Sequence, residues 1–129
     1  MKSIFKFSLF FVLVASLFFA SCQYDYVATP APIPPPEPGD TLSFSAEIIP
    51  IFEKKCVACH GVSAEPPDLT AANAYNSIQT MGLIDATIPA DSKIYTYPNP
   101  SASTHSWKKY SESEAALVLF WIEQGALNN

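Results

Sequence analysis

Cys56-Val57-Ala58-Cys59-His60 is the stretch on which the reading of this chain turns. It reads C-x-x-C-H, the spacing at which a protein attaches a c-type haem. Two thiols on one helical turn add to the two vinyl groups of the porphyrin. The residue that follows is carried under the ring, where its imidazole reaches the iron from the proximal side. Composition narrows the remaining roles. The chain has three cysteines, two histidines (His60 and His105) and one methionine besides the first residue, Met81. The candidates for a second iron ligand are therefore few.

Other chemistries use the same residue types. A thioredoxin-like Cys pair expects a βαβ setting, which Pro50 and the polar, Ala-rich segments do not supply. A closed zinc site wants four nitrogen or sulfur ligands, and beyond the motif only His105 remains after the export signal described next. A structural disulfide between Cys56 and Cys59 is compatible with an oxidising compartment. Haem attachment is the expectation, because the N-terminus places the motif where such attachment takes place.

That N-terminus has the parts of an export signal, predicted over residues 1–21. Met1-Lys2-Ser3-Ile4-Phe5-Lys6 is positively charged, Phe7 to Phe19 is an almost unbroken apolar run, and Ala20-Ser21 are small. An apolar run of this length followed by small residues is a signal peptide rather than a spanning helix. Phe19-Ala20-Ser21-Cys22 resembles a bacterial lipobox, which implies cleavage before Cys22 and lipidation of that cysteine. Each buried methylene of such an anchor contributes about 0.8 kcal/mol. Residues 22–42 then form a tether. Thr29-Pro30-Ala31-Pro32-Ile33-Pro34-Pro35-Pro36-Glu37-Pro38-Gly39 is half proline, and proline fixes φ and removes donors. Extended polyproline II at about 3.1 Å per residue makes this a semi-rigid spacer of roughly 30 Å.

The folded part is expected over 43–129, a small domain that buries a modest fraction of its surface. After the signal the chain keeps five lysines against twelve acids, a net charge of −7, and it has no arginine. Nothing in that balance suggests a nucleic-acid binder, and it argues against adhesion to anionic lipid. The pattern is all-α. A first helix is predicted from a cap at Ser43 or Ser45 through Ile48, Ile49, Ile51 and Phe52 to Cys59, with Pro50 in its first turn. A second runs from an N-cap at Thr70 to about Thr80, and one turn falls within residues 91–96. The last helix begins at the capping box Ser111-Glu112-Ser113-Glu114. It carries Leu117, Val118, Trp121 and Ile122 on one stripe and closes at Gly125.

Glu47-Ile48-Ile49-Pro50-Ile51-Phe52-Glu53-Lys54-Lys55 followed by the Cys-His motif and Gly61 resembles the opening of the small class I cytochrome c domains. The likeness is to those of planctomycete and Bacteroidetes envelope proteins in particular. Leu69-Thr70, Pro89-Ala90-Asp91-Ser92-Lys93-Ile94-Tyr95 and Leu119-Phe120-Trp121-Ile122-Glu123-Gln124-Gly125-Ala126 are similar to later blocks of the same pattern. The resemblance covers 44–128. It implies a fold in which the first and last helices cross around one covalent haem c held by Cys56, Cys59 and His60. It also implies a distal ligand on the loop before the last helix. Many members carry a Met-Pro pair there; this chain has Ser103-Thr104-His105-Ser106-Trp107-Lys108-Lys109-Tyr110 instead. His105 is thus the leading sixth ligand, with Met81 or an open iron as alternatives. Tyr95, Tyr97, Trp107 and Tyr110 are candidates to donate to the haem acid groups or to pack the ring edge. Lys108-Lys109 are candidates to neutralise those groups or to dock an acidic partner, with simple solvation as the ordinary case. Phe120 and Trp121 are expected in the helix-crossing core.

The function implied is electron transfer to and from redox proteins in the envelope of a Gram-negative bacterium. The domain would be lipid-anchored at the periplasmic or outer-membrane face and more a carrier than an enzyme. The other reading is a haem sensor or peroxidase-like enzyme with an open sixth position. No nucleophile–base set or phosphate loop is visible.

Overall fold

Pro50 decides how the chain enters its first helix. The computed structural model describes residues 39–129; the signal, Cys22 and most of the tether lie outside the described residues. A π-helical turn, Phe44–Ile48, runs into α1, Ile49–Lys55. Proline has no N–H to return to residue 46, and its ring crowds a regular i−4 carbonyl. The turn before it widens, and the Ile49 N–H donates to the Phe44 carbonyl, five residues back. Ser43 opens the segment, its hydroxyl accepting from the Ala46 N–H at 3.2 Å, as an N-cap should.

The first helix stops at Lys55 rather than at Cys59. The Phe52 carbonyl accepts from both Cys56 N (2.7 Å) and Val57 N (3.1 Å), and His60 N returns to Cys56 O at 2.8 Å. The thiols therefore sit in turns beyond α1. The second helix, α2, is Ala74–Thr80 with Asn73 at its N-cap position, three residues later than the sequence suggests. Thr70 is diverted: its N–H (3.0 Å) and hydroxyl (2.7 Å) both donate to Asp68 Oδ1. Such local side-chain bonds compete with helix initiation. A 3₁₀ turn, Pro89–Asp91, leads into the single turn α3, Lys93–Thr96.

The last helix, α4, spans Glu112–Glu123 and has the predicted capping box. Ser111 N donates to Glu114 Oε2 at 2.7 Å, and Glu114 N donates to Ser111 Oγ at 3.2 Å. At its other end Gly125 takes φ +95°, and Ala126 N reaches back to Trp121 O at 3.0 Å, the Schellman-like close that glycine allows. Among the described residues there is no strand, and no helix is long and apolar enough to cross a membrane. The described domain is all-α.

Phe44 is the hub of the core. Its ring stacks on Trp121 at 4.9 Å and meets Tyr75 at 5.5 Å and Phe52 at 6.4 Å edge-on. Trp121 is fully buried and donates through Nε1 to Leu127 O at 2.9 Å. At the far end Lys55 pairs with Glu114. These contacts bring the start of the first helical segment to the end of α4 and its end to the start of α4. Burial of each large side chain contributes about 1.5–3 kcal/mol. The Asn129 side chain adds a clasp, Oδ1 accepting from Phe44 N at 2.8 Å and Nδ2 donating to Leu42 O at 3.1 Å.

Candidate functional site

The turn at 56–60, the loop after it, α3 and the segment before α4 enclose a cavity of about 470 Å³. That volume is within the roughly 300–1,000 Å³ of small-molecule and cofactor sites. Cys56, Cys59, His60, His105 and Met81 all line it, so one space gathers residues that span almost fifty positions. Its walls are apolar, with Leu69, Leu83 and Ile94 among them. Its charged members are nearly all of one sign: Lys55, Lys93, Lys108 and Lys109 line the cavity, with Glu65 the only acid. In an acidic chain this concentrates four of the five lysines beyond residue 22 around one space.

His60 is held by the loop that follows it. Its Nδ1 lies 3.0 Å from the Glu65 carbonyl, its own carbonyl accepts from Leu69 N at 2.7 Å, and Glu65 N donates to Cys59 O at 3.2 Å. A carbonyl only accepts, so Nδ1 is the donor in this bond, the arrangement used to orient metal-binding imidazoles. Gly61 lets the loop fold back this tightly. A Cβ there would lie 2.9 Å from the Val57 carbonyl, inside any normal contact. Cys56 and Cys59 are both free thiols, the first half-buried and the second exposed. Burial, and then the nearby Glu114 carboxylate, push the Cys56 thiol up to about 11, so it is a neutral thiol at ordinary pH.

His105 reaches the cavity from the loop between α3 and α4. Its ring lies 6.1 Å from that of His60, at an interplanar angle of 28°. Tyr97 at 6.4 Å and Trp107 at 6.2 Å flank His105. The His105 backbone is left-handed, φ +51°, a state few non-glycine residues adopt and one that recurs at functional sites. Met81 is exposed at the C-cap of α2. Among the described residues no three His, Cys, Asp or Glu side chains cluster to hold an ion by themselves, as a closed zinc site would require.

Two sequence expectations are redirected. Tyr110 is buried and its hydroxyl donates to the Ile94 carbonyl at 3.0 Å, so it fastens the loop to α3 rather than offering a donor to a bound ligand. Burial, with Cys56 and Glu114 nearby, raises its pKa well above the ordinary tyrosine value. Lys109 is not solvated either: its ammonium donates to the carbonyls of Pro100 and Ala102. Lys108 and Trp107 are exposed, Trp107 by 76%. Sequence reasoning had no signal for the Glu65 carbonyl or the Pro100 and Ala102 carbonyls, because a backbone acceptor has no residue type. Comparison with protein-family models, curated proteins and solved structures gives no match for this chain.

Proposed function

We propose that this domain is a monohaem cytochrome c with the small class I fold, an electron carrier tethered to the envelope through a lipidated Cys22. The observation that carries the reading is the pairing of C-x-x-C-H with a second histidine ring 6.1 Å from His60 across one apolar cavity. Cys56 and Cys59 would hold haem c through two thioethers, with His60 and His105 on its two faces. When bound, that group supplies an iron that changes valence by one electron.

The chain's own residues do the rest. The Glu65 carbonyl orients the His60 ring through Nδ1, so that Nε2 would be left for the metal. Leu69, Leu83 and Ile94 exclude water from the apolar body of the group. Lys93 and Lys108, both exposed at the cavity, offset its acid groups. His60 and His105 would both hold the iron, so that little of the chain would have to move on a one-electron change. The exposed Trp107 ring lies beside His105, so a group held by His105 would lie near the surface.

The absorption spectrum of the holoprotein and two variants tests this. The wild type is expected to be low-spin in both states and to lack the near-infrared band of ferric thioether ligation. His105→Ala is expected to create a high-spin fraction that binds carbon monoxide, while Met81→Leu leaves the spectrum unchanged. The reverse pattern would assign the sixth position to Met81. A wild type already high-spin and avid for carbon monoxide would replace the carrier with a sensor or peroxidase-like enzyme.

A further inference from the structure

We propose that Lys109 is a positioning residue that clasps the His105 loop and so sets how firmly His105 holds the sixth iron position; this rests on the bis-histidine reading above. Residues 98–110 join α3 to α4 with little regular structure. Their backbone bonds are local turns, Ala102 N to Asn99 O and Lys108 N to His105 O, plus one closure from Tyr110 N to Pro98 O at 2.9 Å. A loop of this kind is at the low end of local stability. Yet it must present His105 in a left-handed backbone state, φ +51°, which persists only where the surroundings impose it.

Besides the Tyr110–Pro98 closure, Thr104 Oγ1 donates to the Tyr97 carbonyl, and one ammonium group spans the loop. Lys109 Nζ donates to Pro100 O at 3.1 Å and to Ala102 O, drawing the near half of the loop onto its far end. His105 lies between the lysine and the carbonyls it grips. The clasp is itself anchored. Lys55 Nζ donates to the Lys109 carbonyl at 2.9 Å and pairs with Glu114, which connects the loop to α1 and α4. Charge-assisted bonds of this type are among the stronger ones in proteins. Their loss is expected to raise the population with His105 detached about ten- to hundredfold, since two are removed together.

The test uses the holoprotein carrying Lys109→Met, Lys109→Arg or Lys109→Gln. Lys109→Met is expected to show a high-spin fraction, carbon monoxide binding at least about tenfold tighter than wild type, and faster amide exchange at 99–107 with α1 and α4 unchanged. Lys109→Arg, which keeps a charged donor, is expected to restore the low-spin spectrum. Lys109→Gln keeps a neutral donor, should fall between, and serves if the methionine variant does not fold. Combined with His105→Ala, the methionine change is expected to add no further high-spin signal. If Lys109→Met and Lys109→Gln stay low-spin with wild-type carbon monoxide affinity while His105→Ala opens the iron, the clasp is wrong and bis-histidine ligation stands. A shifted potential with no change of spin would instead make Lys109 a neutraliser of haem acid groups and overturn the proposal. A silent His105→Ala would remove the ligation and the clasp together.

Discussion

Replacing Glu114 by alanine tests the joint between the first and last helices. The Glu114 carboxylate does two things: it accepts from Ser111 N to complete the capping box, and it pairs with Lys55. Loss of the cap bond costs about 1 kcal/mol. Loss of the pair leaves the Lys55 ammonium with the Lys109 carbonyl. With its side chain still 22% exposed, the lysine retains some water, so the cost lies between a surface pair and a buried one, about 1–2 kcal/mol. Together the loss is about 2–3 kcal/mol, which for a domain of this size lowers Tm by about 8–24 °C. Glu114→Gln keeps an acceptor for Ser111 and is expected to lose roughly half as much. The pH dependence follows from the carboxyl itself. Burial works to raise its pKa, yet the Lys55 ammonium and the Ser111 N–H hold it below the ordinary glutamate value. The stabilisation is then complete above about pH 4.3, the unfolded value, and is lost as pH falls through the lower folded value. Urea unfolding followed by far-ultraviolet circular dichroism, from pH 3 to 8, measures both. The gap between wild type and Glu114→Gln should be constant at neutral pH and close in acid. A Glu114→Ala protein within about 0.5 kcal/mol of wild type at pH 7 would refute the reasoning.

Trp121→Ala removes a fully buried ring stacked on Phe44 and is expected to cost about 3–5 kcal/mol, enough to leave a small domain partly unfolded at 25 °C; a urea midpoint close to wild type would contradict the core described here. Cys22→Ser is expected to turn a protein extracted from membranes by detergent into a soluble exported one, read by fractionation and by the mass of the N-terminal peptide. A variant that stays with the membranes would show that something other than a lipid holds it.

The parts of the fold written in local chemistry were legible in the sequence. The Ser111–Glu114 capping box, the Gly125 closure and the buried Trp121 stripe stand where the pattern put them. Boundaries set by competition were not. Thr70 reads as an N-cap until Asp68 takes both of its donors, and the first helix reads as continuous until the Phe52 carbonyl accepts twice. The candidate site follows the same division. Side chains with distinctive chemistry, Cys56, Cys59, His60 and His105, were visible as residue types, and the structure brings them to one cavity. The groups that orient them were invisible: the Glu65 carbonyl is a backbone atom, and the Lys109 clasp depends on a loop path that no periodicity encodes. Lys108-Lys109 look alike in sequence, but one is exposed and the other engaged.

The most direct test of the central claim is the intact mass of the protein exported from a host able to mature c-type cytochromes, with a pyridine haemochrome spectrum of the same sample. The account predicts one haem added covalently to the chain and a haemochrome of the two-thioether type, both abolished in the Cys56→Ala, Cys59→Ala double variant. An unmodified mass, with Cys56 and Cys59 as free thiols or joined in a disulfide, would contradict it.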